Sequence, residues 1–475
     1  MISKNSPMNT KLRVKPIAFS LFHKNAYQGP CRYGEGYALS YEYDVEVGKR
    51  QLADFTEKLN NSIDFDQIDL LEPVMLHWCE DFILSDDLFE EALKDDDDVD
   101  FYLIYALRIS NLFIVRLAEK TNKPFGLISN KEGISRVGDI DSAARLHAMG
   151  KECYSFYDYC DIMPLLQALR VRKALSNTKV LFPLKGDPLS AGCQSSFMSL
   201  DDVSSRFGLS FQHLDAMEVL DMLDKLTDEE ISEAKAFAEE LYKESKASHL
   251  PLENTVGDIK VYQLFCRLMD KYGCNAFTIP CFEVCATMEL MRRKITFCVS
   301  HSLNKDRGIP SACASDVGSL IAMEMAMLVS NEAPYMGNTM VRDIDANIVR
   351  TLHDVPSRYM KGYDNPLPIE LVSFTLGNWG TTMRYNFDLD KGQTVTAMAL
   401  SPDFKKMMVV RGTVDGCDNY LVPECKLAMR YIVNDARKFY EYQQYVGHHM
   451  VVVYGDHTEA FKNIAHLYGM EIMEV

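Results

Sequence analysis

At 475 residues the chain exceeds one hydrophobic core, and at about 100–200 residues per domain it divides into about three. A net charge of −18 excludes a sequence-independent nucleic-acid binder, which needs a basic face to release counterions. No uninterrupted apolar run of about 18 residues is present to span a bilayer. Lys4, Lys11, Arg13 and Lys15 are not followed by a long apolar stretch, so no secretory leader is expected. The 13 cysteines are odd in number and irregular in spacing, which points to free, mostly buried thiols in a reducing cytoplasm.

Short apolar runs then alternate with longer helical patterns. Residues 14–21, 99–107 and 124–129 read as buried strands with amphipathic stretches between them. The acids Asp95, Asp96, Asp97 and Asp98 read as a solvated turn. A second unit starts near Thr178, where a strand at 179–183 runs into the loop Lys185-Gly186-Asp187. A helix at 200–207, a strand at 209–214 and further helix follow. Thr227 and Glu230 form a capping box, and Ile231, Ala234, Ala238 and Leu241 mark one helical face. Alternation of this kind implies parallel sheets with right-handed crossovers, whose ligands sit beyond the carboxyl ends of the strands. After about residue 366 the pattern changes. Residues 393–400 and 406–412 alternate around Pro402 and Asp403 as a β-hairpin. A strand at 450–454, a turn at Gly455 and Asp456, and a helix capped by Thr458 and ended by Gly469 close the chain. The expected domains are therefore 1–175, 176–365 and 366–475.

The densest chemistry lies in residues 273–340, with Cys274, Cys281, Cys285, Cys298 and Cys313. Cys281 and Cys285 share a helical face, but structural zinc sites favour paired Cys-x2-Cys halves, so buried free thiols are the simpler reading. Asp316 precedes the apolar helix 317–329, where a carboxylate serves either as a cap or as a catalytic group. Glu324 sits mid-helix among Met323, Met325 and Met327 and needs a partner if buried. His448 and His449 precede a strand, whose alternation sends one of them toward a pocket. His301 is equally open.

Five stretches carry a resemblance: Asn275-Ala-Phe-Thr-Ile-Pro-Cys281, Gly308-Ile-Pro-Ser-Ala-Cys-Ala-Ser-Asp316, Ala333-Pro-Tyr-Met-Gly-Asn338, Thr394-Val-Thr396, and Gly447-His-His449 running on to Asp456. With the helix beginning at Asp228, they resemble the L-fucose/L-arabinose isomerase superfamily, specifically its fucose-isomerase-like members, over residues 175–475. The resemblance implies an α/β chain with two Rossmann-like parallel-sheet domains and a C-terminal domain with an antiparallel β-barrel. It also implies a homo-oligomer and a small sugar-like substrate. Relatives interconvert aldoses and ketoses with Mn2+, which polarises the carbonyl while carboxylates move a proton through an enediol.

Carried over residue by residue, the family's metal-binding glutamate falls on Ala314 and its aspartate on Asn338, while His449 and Asp316 are retained. The resemblance thus places Asp316, His449 and Asn338 in catalytic roles and Glu283, Cys313 and Ala314 around the substrate. Only His449 and Asn338 remain as donors to a metal. A methyl group and an amide do not replace two carboxylates for a hard cation, so the cofactor is left open. Three readings follow: an isomerase-like enzyme with an altered site using Asp316, His449 and Glu283 or a nearby cysteine; a metal-independent enzyme of different chemistry; and a non-catalytic sugar-binding protein.

Overall fold

A computed structural model describes residues 2–22, 41–78, 86–106, 111–129 and 135–475. They fall into two compact units, Lys11–Arg170 and Met1–Thr10 with Val171–Val475.

The Lys11–Arg170 unit runs β1 (Leu12–Leu21), α1 (Tyr41–Asn60), β2 (Ile68–Leu70), β3 (Val74–Trp78), α2 (Asp87–Leu93), β4 (Phe101–Ala106), α3 (Asn111–Lys120), β5 (Phe125–Ser129), α4 (Ser135–Ala148) and β6 (Cys153–Ser155). Its sheet is parallel throughout, in the order β2-β1-β4-β5-β6, with β3 also on β1. The apolar runs expected to be strands are β1, β4 and β5; Leu107 lies outside the described residues. β1 pairs with β2 through Val14 and with β3 from Ile17. Pro16 sits at that changeover, where its missing N–H removes no ladder bond. Asp96, Asp97 and Asp98 form a short 3-10 turn. One of them is structural: Asp96 accepts from the Tyr102 hydroxyl at 2.7 Å and from Thr121 at 2.8 Å.

The other unit begins with the end of α5 (Ile162–Ser176) and a second parallel sheet. In chain order come β7 (Lys179–Leu184), α6 (Leu200–Phe207), β8 (Ser210–Asp215), α7 (Ala216–Leu223), α8 (Asp228–Glu244), β9 (Ala247–Ser248), α9 (Leu252–Tyr272), β10 (Ala276–Thr278), α10 (Cys281–Ala286), α11 (Glu289–Arg293), α12 (Cys298–Asp306), β11 (Ser311–Ala312) and α13 (Val317–Ser330). The sheet order is β11-β10-β7-β8, all parallel. The capping box at Thr227 and Glu230 starts α8. α13 is buried from Val317 to Leu328 because it packs on β10 and β11 on one side and on barrel strands on the other. A helix enclosed this way is apolar all round.

The chain then forms β12 (Tyr335–Asp343), β13 (Ile348–Leu352), β14 (Glu370–Ser373), β15 (Thr381–Arg384), β16 (Thr394–Leu400), β17 (Lys406–Asp418), β18 (Ala428–Val433), α14 (Ala436–Val446), β19 (His449–Tyr454), α15 (Thr458–Leu467) and β20 (Glu471–Glu474). Six antiparallel strands close into a barrel in the order β16-β19-β12-β13-β18-β17, with β17 pairing back to β16. Its first two strands lie ahead of residue 366, because β12 is needed between β13 and β19. β14, β15 and β9 make a separate small sheet. Alternate residues fill the barrel, among them Val395, Ala397, Met408, Val410, Met429, Tyr431, Met450 and Val452. This is the period-two pattern of a closed sheet. Thr458 is not the cap of α15: its N–H is accepted by Asp456 Oδ1 at 3.2 Å.

Gly337 marks the tightest strand crossing, since a Cβ there would stand 2.4 Å from the Leu352 carbonyl oxygen. Gly337→Ala is expected to lower unfolding free energy by about 1–3 kcal/mol through overpacking. Gly257→Ala in α9, where a Cβ meets Ile295 at an ordinary 3.4 Å, is expected to be neutral or stabilising. Urea midpoints of the two variants check the contrast.

Candidate active site

The carboxyl ends of β7, β10 and β11 lead into the three loops that carry the reactive groups, as a parallel sheet dictates. The loop after β7 brings Gly192 and Cys193, the turn after β10 brings Cys281, and the turn after β11 brings Cys313, Ala314 and Asp316. A cavity of about 350 Å3 opens there, and residues from the barrel complete it. That volume is at the small end for a ligand pocket, about 300–1,000 Å3. Phe282, Leu290, Phe297 and Phe374 supply apolar wall, while five cysteines, four histidines and Asn338 supply the polar groups.

The barrel's alternation explains part of this set. Tyr335, Met450 and Val452 face the barrel core, so their strand neighbours face out. Asn338 and His449 are directly paired across β12 and β19, on that outward face. His448 breaks the expected rule that only one of the two histidines reaches a pocket: both line the cavity. It lies in the bend before β19, after Gly447 at φ 89°, so strand alternation does not govern it. Glycine is obligatory at 447, where a Cβ would stand 2.0 Å from Ser195 Oγ. The His448 and His449 rings are 4.4 Å apart, and His353 approaches His449 at 5.6 Å.

Asp316 lies behind His449 and does not line the cavity. It caps α13 by accepting from Ser319 N at 3.0 Å, accepts from Ser319 Oγ at 2.5 Å, and lies 2.8 Å from His449 Nδ1. Burial raises the energy of its charge, but the His449 bond and charge and the two Ser319 bonds outweigh it, and its carboxyl is held well below the usual range. Cap and functional partner are thus the same residue. Breaking such a buried pair costs about 3–5 kcal/mol.

Ala314 and Ser315 both take left-handed backbone, at φ 58° and 55°. Two consecutive non-glycine residues there store strain of order 1 kcal/mol each. The surroundings hold them. Ser315 N donates to the Ile279 carbonyl at 3.0 Å, and Val317 N donates to Ser196 Oγ at 2.8 Å. The turn aims the Ala314 N–H at Cys281, whose sulfur is 3.0 Å from that of Cys313. The Cys313 S–H, then the Ala314 and Phe282 N–H groups, favour a Cys281 thiolate against the cost of burial, and the Cys313 thiol is pushed up in turn.

Glu283 does not reach the cavity: its Oε1 accepts from Ser190 Oγ at 2.8 Å and Ala191 N at 2.6 Å, fixing the loop after β7. Glu324 is likewise withdrawn, with Thr178 Oγ1 donating to it at 2.7 Å. His301 is fully buried with Nδ1 2.9 Å from Ser311 Oγ, and burial pushes its pKa down to about 3, so it lines the cavity neutral. Residue-by-residue reading had missed His353, Cys425 and Cys193. His353 Nδ1 is 3.1 Å from Cys425 Sγ, and Asp354, paired at 2.5 Å with the buried Arg384, holds Cys425 N at 3.0 Å. Burial above all, then the adjoining imidazoles, keeps His353 neutral. No short-range spacing connects these residues: Cys193 lies in the loop after β7 of the parallel sheet, His353 directly after β13 and Cys425 before β18 of the barrel.

Ala314, Asn338 and His449, the positions the motifs aligned with a metal site, all line this one cavity. A hard Mn2+ ion does not fit the donors found there. Among the described residues no carboxylate lines the cavity, and His449 and Asn338 offer one imidazole and one uncharged amide. No protein-family model and no curated protein matches the chain.

Burial raises the Glu324 pKa from 4.5 to about 8, so folding keeps it protonated where the unfolded chain would ionise it. Its stabilising contribution is full below pH 4.5 and is lost as pH rises through 8, by up to about 1.4 kcal/mol per pH unit. Glu332 behaves alike. Glu324→Gln is expected to make the unfolding free energy decline less steeply between those limits, measured by urea titration across pH.

Proposed function

We propose that the chain is an aldose–ketose-type isomerase for a small sugar-like substrate, with the Cys281 sulfur as base in place of the family's metal-bound machinery. The observation carrying this reading is the convergence of Ala314, Asn338 and His449 on the cavity that Cys281 and Cys313 enter. The motif resemblance over residues 175–475 supports it. In the same reading the two parallel sheets belong to Rossmann-like domains, and the protein works as a cytoplasmic homo-oligomer.

The chemistry needs no external oxidant or reductant. The Cys281 thiolate takes the proton from the carbon beside the substrate carbonyl, and the electron pair moves into an enediolate. The Asn338 amide and a cavity imidazole donate to the oxygen that gains charge. A neutral cavity imidazole carries the neighbouring hydroxyl proton to the former carbonyl oxygen, and the Cys281 thiol then returns the carbon-bound proton to the former carbonyl carbon, completing a shift between aldose and ketose. Asp316 is a positioning residue, holding the His449 ring. The apolar wall excludes water, which strengthens each of these interactions.

The thiols also favour a second reading, in which Cys281 adds to a substrate carbonyl as a nucleophile. A panel of aldoses and ketoses in deuterated water separates the two. Isomerisation with solvent deuterium in the product, and a kcat loss of at least about 100-fold in Cys281→Ser with little change in KM, is the expected result. A covalent mass increment on Cys281 would support the nucleophile instead. Undiminished turnover by Cys281→Ser, or none by the native protein on any sugar, would sink the isomerase.

A further inference from the structure

We propose that Cys193, His448 and His449 form a site for a thiophilic divalent cation of the zinc class, with an open position facing the cavity. This inference rests on the three side chains and not on the isomerase reading.

One ligand atom from each residue lies within 4.8 Å of the other two. Neighbouring ligands on a tetrahedral zinc ion are about 3.3–3.6 Å apart, given Zn–S near 2.3 Å and Zn–N near 2.0 Å. Side-chain rotation of about an ångström closes the difference. The donors come from chain segments far apart in sequence, the loop after β7 and the entry to β19, so helical or strand proximity does not explain their meeting. Those segments pack closely, since a Cβ at Gly447 would stand 2.0 Å from the Ser195 hydroxyl and 2.5 Å from its Cβ. The site is therefore held by packing before any ion arrives.

The donor types select the ion. One thiolate and two neutral imidazoles suit a soft or borderline cation and are poor ligands for Mn2+, Mg2+ or Ca2+. A thiolate with two imidazoles resembles the three-ligand arrangement in which zinc keeps a fourth position for water or substrate. Cys193 is buried, whereas His448 and His449 line the cavity, so that fourth position opens on the pocket. Asp316 supplies the outer partner. Its Oδ2 is 2.8 Å from His449 Nδ1, where the Cys193 sulfur also lies at 3.7 Å, so an ion bound through His449 Nε2 requires the thiol to swing off Nδ1 while Ser319 holds the carboxylate. The charges also balance: a dication, one thiolate and the Asp316 carboxylate sum to zero in a buried setting. The chain thus lacks the donors for a hard ion at Ala314 and Asn338 but assembles softer ones on the same histidine.

The test uses the full chain, stripped with a chelator and reloaded with Zn2+ or Co2+. Elemental analysis is expected to give one tightly held zinc per chain, not displaced by an equal concentration of Mn2+. The cobalt form is expected to show the intense visible bands of a tetrahedral site and a single thiolate charge-transfer band. Cys193→Ser should abolish that band, and Asp316→Asn should weaken zinc binding by about 10- to 100-fold. In the unmutated protein, zinc should protect Cys193 from alkylation, read by peptide mass spectrometry; this arm does not depend on a variant folding. The proposal is overturned by failure to retain zinc, by a charge-transfer band that persists in Cys193→Ser, or by alkylation of Cys193 at the same rate with and without zinc.

Discussion

The contact between Asp316 and His449 joins the two layers of the larger unit. Asp316 sits where β11 hands over to α13, and His449 opens the barrel strand β19. Their 2.8 Å bond is buried at both ends, so neither group can turn to water if the other moves. The turn before Asp316 must take left-handed backbone at Ala314 and Ser315 to reach this position. That same turn aims an N–H at Cys281. One buried interaction thereby fixes the helix cap, the orientation of the histidine and the environment of the thiol pair. The strain in the turn is smaller than the cost of breaking the pair, which is why the geometry persists.

Chemistry at this place is governed by what the cavity wall does not contain. The acidic residues near it face away: Glu283 ties a loop, Glu324 is buried against Thr178, and Asp316 stands behind His449. What remains is sulfur and neutral nitrogen. Desolvation keeps His301 and His353 uncharged, and among the described residues no carboxylate lines the cavity to pair with an imidazolium. The wall thus presents thiols, imidazoles and an amide where the resemblance would place paired carboxylates around a hard metal.

Much of this was legible in the chain because the signals are local. The strands β1, β4, β5 and β7, the β16–β17 hairpin, the Thr227 capping box and the Asp316 cap all follow from patterns a few residues long. The loops beyond the carboxyl ends of the parallel strands, where ligands are expected, carry Cys281, Cys313 and Ala314. Local rules misled where the backbone departed from regular geometry. His448 was assigned by strand alternation although a bend at Gly447 frees it, and Thr458 was read as a cap although it is the first helical residue, its N–H accepted by Asp456.

The sequence by itself determined the element types, the alternation of strand and helix and the uncharged residues at Ala314 and Asn338, since each depends on residue identity or on neighbours within a turn or two. Only the tertiary structure decided which of the many cysteines and histidines share a cavity. Cys281, Asn338, His353, Cys425 and His449 come from five separate segments, and their convergence depends on strand order and barrel closure. Strand order arises from long-range packing of apolar faces, and packing leaves no period in the chain from which those meetings could be read.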